Sequence, residues 1–159
     1  MFPKKMKCRI SILLLPKGSN LSIFQVRAVK QILVIDDDLM TLEVLRKILE
    51  AEGYQVVTAS DGQKGLDAFH QAPIDLVITD LVMPVKDGLR TIMELRKENQ
   101  QIPIIAISAG GAIAKERYLT AAQYLDNIVA IPKPLKRKEI TEKVKELLQQ
   151  TDLPDTLEI

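Results

Sequence analysis

Three consecutive aspartates, Asp36-Asp37-Asp38, follow the apolar run Ile32-Leu33-Val34-Ile35. Asp80 ends a second apolar run 44 residues after Asp36, Ser108 stands 28 residues beyond it, and Lys133 another 25. Brought together, these groups share one chemistry. Several carboxylates in one crevice repel each other, and each is pushed toward protonation. A hard divalent cation relieves this, and Mg²⁺ favours oxygen ligands: one or two carboxylates, waters and phosphate oxygens. Lysine offers a compact positive charge that pairs with a carboxylate or a phosphoryl oxygen. A serine hydroxyl can donate to the same oxygen. The set suits phosphoryl transfer onto a carboxylate, with Asp80 as the nucleophile that forms an acyl phosphate. The metal and Lys133 would offset charge on the transferred group.

The elements that must position these residues follow from the apolar pattern. Ile32–Ile35 reads as a buried strand, and Leu42, Leu45, Ile48 and Leu49 fall at helical spacing before the helix stop Gly53. The spacing then predicts strands over Tyr54–Thr58, Ile74–Thr79, Ile102–Ile107 and Ile128–Ile131. Helices are predicted over 62–71, 89–99, 113–124 and 136–149, the last with Ile140, Val144, Leu147 and Leu148 on one face. Five strands alternating with five helices predict an α/β architecture, a parallel sheet covered on both faces. Right-handed crossovers make it a doubly wound, flavodoxin-like fold of strand order 2-1-3-4-5. In such sheets ligands bind beyond the carboxyl ends of the strands, at the switch in strand order. That order makes strands 1 and 3 neighbours, so Asp36, Asp37 and Asp80 converge.

The composition bounds the remaining choices. The 159 residues are 47% hydrophobic and 27% charged, with a formal net charge of +1, which fits a globular domain and not a disordered chain. A single cysteine, Cys8, excludes an intramolecular disulfide; with a single histidine, His70, it excludes a Cys/His zinc cluster. His70, near a helix end, reads as solvated or dipole-compensating. No run approaches the roughly 18 apolar residues of a membrane-spanning helix, so no membrane span and a cytoplasmic location are expected. The charge is uneven. Residues 1–30 hold seven basic groups and no acid, and residues 31–159 carry −6. Residues 1–30 are expected to be a basic extension, disordered or upstream of the true start. The folded domain is expected over 31–150, with 151–159 a short tail.

From about Gln31 to Gln149 the chain resembles the receiver domain of two-component response regulators. The resembling motifs are Asp36-Asp37-Asp38, Asp80-Leu-Val-Met-Pro84 with Asp87-Gly88, Ser108-Ala109, and Lys133-Pro134. The resemblance implies that Asp80 is phosphorylated by a sensor histidine kinase or a phosphotransfer protein. It implies that Asp37, Asp80 and the Val82 backbone carbonyl bind Mg²⁺ or Mn²⁺, with Asp36 acting largely through water. Ser108 and Lys133 would contact the phosphoryl group, and the Lys133–Pro134 bond would be cis. Asp38 reads as a helix cap and not a metal ligand, and Asp87-Gly88 as turn chemistry. The protein would be a signalling module and no enzyme beyond its own phosphorylation and dephosphorylation.

The chain departs from the family in two places. The switch aromatic usual three residues before the lysine is replaced by Ala130, so either the switch runs through the loop of Ser108, Gly110 and Gly111, made permissive by its glycines, or the output face is unusual. At the two positions that tune dephosphorylation stand Val82 and Gly110, neither with a polar side chain to orient water. About 120 residues of receiver leave no space for an effector, so the expectation is a stand-alone receiver without a DNA-binding domain. It would signal to a separate protein target, and a phosphorylation-dependent homodimer is left open. Three other readings compete. A haloacid-dehalogenase-type phosphatase would need an acid where Val82 stands. A pseudo-receiver would bind partners without phosphorylation. DNA binding through residues 1–30 lacks a helix-turn-helix pattern.

Overall fold

The computed structural model describes residues 29–83, 87–109, 116 and 128–151. Five strands, β1 (Gln31–Ile35), β2 (Gln55–Ala59), β3 (Leu76–Asp80), β4 (Ile104–Ser108) and β5 (Ile128–Pro132), form one parallel sheet in the order β2-β1-β3-β4-β5. The described helices are α1 (Leu39–Ala51), α2 (Gly62–Gln71), α3 (Gly88–Glu98) and α4 (Arg137–Thr151). The helix expected over 113–124, apart from residue 116, lies outside the described residues, as do residues 1–28 of the expected extension, residues 152–159 of the expected tail, and Gly110 and Gly111.

The apolar runs of β1, β3 and β4 become strands buried on both faces, while the edge strands β2 and β5 are only partly buried. Successive side chains point to opposite faces, so Ile32 and Val34 pack with α1 and α4, through Leu45, Leu49, Ile140 and Val144. Leu33 and Ile35 pack with α2 and α3, through Leu66, Ile92 and Leu95. Two cores thus clamp one sheet, which fixes the height of every strand end. Each of the first three helices starts on an aspartate whose side chain accepts a backbone N–H of the first turn: Asp38 from Met40, Asp61 from Lys64, and Asp87 from Arg90. Gly53, with φ of 89°, turns the chain after α1, a left-handed conformation that favours glycine.

Strands β3 and β4 end later than the apolar pattern predicts. Each takes in its terminal polar residue, because parallel pairing continues past the apolar run: Asp80 pairs with Ile107, and Ser108 with Pro132. The two polar residues are therefore held by the sheet. Among the described residues no helix is long and apolar enough to cross a membrane.

Candidate functional site

The central neighbours β1 and β3 deliver the acids to one place. Asp36 follows β1 directly, and its N–H donates to the Ala59 carbonyl at the end of β2 (3.1 Å). Its side chain is fully buried. Its Oδ1 accepts the Asp38 N–H at 2.8 Å, and its Oδ2 lies 3.4 Å from Lys133 Nζ. Asp80 is 4% exposed. Its Oδ1 accepts the Val82 N–H at 2.9 Å, and its Oδ2 accepts from Lys133 Nζ at 3.0 Å. Asp37 is exposed. One carboxylate oxygen from each of Asp36, Asp37 and Asp80 lies within 4.8 Å of the others. Asp38 stands apart from this group and caps α1, accepting from Met40 N–H (3.0 Å) and Thr41 Oγ1 (2.7 Å).

Lys133 arrives from the far side of the sheet. It follows β5, its N–H donates to the Ser108 carbonyl at 2.8 Å, and its bond to Pro134 is cis. Ser108 and Lys133 are therefore neighbours at the ends of β4 and β5. Val82 presents an exposed side chain, so what it gives the acids directly is its main-chain N–H. Ala130 is half-buried within β5, paired with Ala106.

The electrostatics follow from this geometry. Burial is the main reason that the Asp36 carboxyl titrates above its ordinary value. The Asp38 N–H and the Lys133 charge pull it down, and the Asp80 charge pushes it up. For Lys133 burial is the largest single influence and favours the neutral amine. The hydrogen bond and charge of Asp80, with the charge of Asp36, outweigh it, and the ammonium is held above the ordinary lysine value. A buried carboxylate, a second almost buried one and an exposed third, all within reach of one point, form an oxygen-only donor set. That set fits a hard divalent cation such as Mg²⁺, which keeps waters beside its carboxylates.

Two supporting residues were not singled out in the sequence for this role. Thr79, fully buried, donates through Oγ1 to the Asp80 carbonyl at 3.1 Å. Gly88 opens α3 directly against the Asp80–Leu81 main chain. The available signal for Gly88 was a glycine immediately after a capping aspartate, which reads equally well as a turn.

Comparison with known proteins places this arrangement. The family model "Response regulator receiver domain" matches residues 32–145. The chain is 38% identical over 125 residues to "Probable transcriptional regulator ycf27" of Cyanophora paradoxa, covering 79% of this chain and 51% of that protein. It is 33% identical over 121 residues to "Transcriptional regulatory protein CpxR" of Escherichia coli K12, covering 76% and 50%. A crystal structure of a CheY-like response regulator receiver domain protein from Methanospirillum hungatei JF-1 superposes with a TM-score of 0.70 at 27% identity, covering 79% of this chain and 98% of that one.

The chain spans about half the length of the curated relatives it matches. This corrects the expectation of a partner set without a DNA-binding domain, and the chain's length lends the stand-alone reading no support. These relatives are named as transcriptional regulators and continue well beyond the matched part. The physical reason is modularity. A receiver closes its own core around its own sheet, so its size sets no limit on what is joined to it. Motifs, strand order and matched residues agree: the chain belongs to the response regulator receiver domain family, the signalling module of two-component systems.

Proposed function

We propose that this receiver is a phosphorylation-driven switch in which Asp80 is the phosphoacceptor. The donor is a phosphohistidine on a sensor histidine kinase or a phosphotransfer protein. An Asp80 carboxylate oxygen attacks phosphorus, the phosphorus–nitrogen bond breaks with its electron pair going to nitrogen, and the imidazole, protonated beforehand on its other ring nitrogen, departs neutral. The product is an acyl phosphate on Asp80. Asp36, Asp37, Asp80 and the Val82 carbonyl would hold Mg²⁺ or Mn²⁺, whose charge, when bound, offsets that of the incoming phosphoryl group.

The chain's own residues do the positioning. Val82 N–H and Lys133 Nζ fix the two oxygens of Asp80, so the nucleophile is oriented before the donor arrives. Lys133 carries a full charge at neutral pH, because its ammonium is held above the ordinary value, and it is placed to pair with the phosphoryl oxygens. Ser108, next to it, offers a hydroxyl to the same group. The single observation carrying this reading is an almost buried Asp80 with Lys133 at 3.0 Å inside a three-carboxylate cluster.

Acetyl phosphate with Mg²⁺ tests it, by comparing intact masses of wild type and Asp80→Asn. A single phosphate adduct on wild type, absent from the variant, is the expected result. No adduct on either would leave a binding module that is not phosphorylated, a reading the small Ala130 also favours. An adduct retained by Asp80→Asn would place the acceptor elsewhere.

A further inference from the structure

The first turn of α3 lies directly on the main chain of Asp80. Asp87 caps the helix, fully buried Thr91 donates through Oγ1 to the Asp87 carbonyl at 3.1 Å, and the Gly88 N–H donates to the Leu81 carbonyl at 3.2 Å. A Cβ built on Gly88 would run into the Asp80 carbonyl oxygen and stand 2.8 Å from both the Asp80 carbonyl carbon and Leu81 Cα. The backbone conformation is not what demands glycine here. Among the described glycines only Gly53 has a left-handed φ, and alanine is the better helix former. What Gly88 supplies is the absence of a side chain where one helix must touch the end of a strand.

We propose that Gly88 is a positioning residue for Asp80. The proposal rests on the reading of Asp80 as phosphoacceptor and metal ligand. The carbonyl that Gly88 touches and the carboxylate that does the chemistry belong to one residue, so displacing the first displaces the second. The carboxylate is held by contacts of 2.9 and 3.0 Å, which a shift of a few tenths of an ångström degrades. A methyl group at position 88 requires more than that, and its obstacle is backbone.

Gly65 is the internal control. A Cβ there also lacks room, but the three nearest atoms it would meet all belong to the Ile35 side chain and none to main chain. Equal chemistry at the two positions thus separates crowding of a core side chain from crowding of the phosphoacceptor's main chain.

The test compares wild type, Gly88→Ala and Gly65→Ala as full chains, at a temperature where thermal melts show each folded. Mg²⁺ affinity is read by calorimetry, and the rate of adduct formation from acetyl phosphate by intact mass. Gly88→Ala is expected to weaken Mg²⁺ binding and to slow adduct formation, each by about tenfold or more, with Gly65→Ala within about threefold of wild type. Wild-type affinity and rate in Gly88→Ala would overturn the proposal, and so would equal losses in the two variants. If Gly88→Ala does not fold, the amide spectrum of wild type decides. The Gly88 N–H should shift with those of Asp80 and Leu81 as Mg²⁺ is added, and an unmoved Gly88 overturns the proposal. A wild type that binds Mg²⁺ but takes no phosphate removes the phosphoacceptor reading, while the Mg²⁺ comparison still decides the role of Gly88.

Discussion

Replacing Asp36 by Asn should stabilise the metal-free protein and weaken its hold on Mg²⁺. Asp36 is fully buried, and burial outweighs the Asp38 N–H at 2.8 Å and the Lys133 ammonium at 3.4 Å, so its carboxyl titrates above the ordinary 3.8. The native state therefore binds a proton at this site more tightly than the unfolded chain does. By linkage, the contribution of Asp36 to stability is most favourable below 3.8 and declines as pH rises through the higher folded-state value.

Asparagine keeps an oxygen for the Asp38 N–H. It removes the charge and the repulsion from Asp80, and it gives up only the longer of the two lysine contacts, since Lys133 retains Asp80 at 3.0 Å. The expected gain is about 0.5–2 kcal/mol at neutral pH, the range for relieving a strained functional site. For a domain of this size that is roughly 2–10 °C in melting temperature. Mg²⁺ should narrow or reverse the order, because ligand binding stabilises the wild type by mass action and the variant less. Thermal or urea melts across pH, with and without millimolar Mg²⁺, measure both effects. The curves should converge under acid, where the carboxyl is protonated in the unfolded chain as well. An Asn variant less stable than wild type at neutral pH without Mg²⁺ would refute the reasoning.

Further predictions concern residues around the same framework. Val82 is exposed beside Asp80 and has no polar side chain to orient water, so the phosphorylated protein should be long-lived. The double variant Val82→Asn with Gly110→Glu should lose its phosphate faster, by several-fold to about a hundredfold, in a decay followed by intact mass, and an unchanged rate counts against the idea. Arg96 is buried on α3 and donates through Nη1 to the carbonyls of Ile102 and Asn99, which ties the helix end to the chain entering β4. Arg96→Ala should lower the free energy of urea unfolding by about 1–3 kcal/mol, since it strands a buried carbonyl. A change no larger than about 0.5 kcal/mol, typical of an uninvolved surface position, would show that Arg96 carries no such load.

The sequence alone determined the strand order and the meeting of the acids. Four-residue apolar runs such as Ile32–Ile35 can only be strands buried on both faces when helical spacings alternate with them. A doubly wound sheet of that kind brings the ends of strands 1 and 3 together. Asp36, Asp37, Asp80 and Lys133 were legible because they are the polar residues that end such runs, and Asp38 was legible as a cap because aspartate before a helix satisfies orphan N–H groups. Tertiary structure decided what depends on distance and burial. It set the registers that pair Asp80 with Ile107 and Ser108 with Pro132, because strand pairing does not stop where hydrophobicity does. It buried Asp36 completely while leaving its neighbour Asp37 exposed, a difference of side-chain direction that identical residue types cannot encode. It also turned Gly88 from a turn residue into a point of contact, because a missing side chain has meaning only once the atoms that would collide with it are in place.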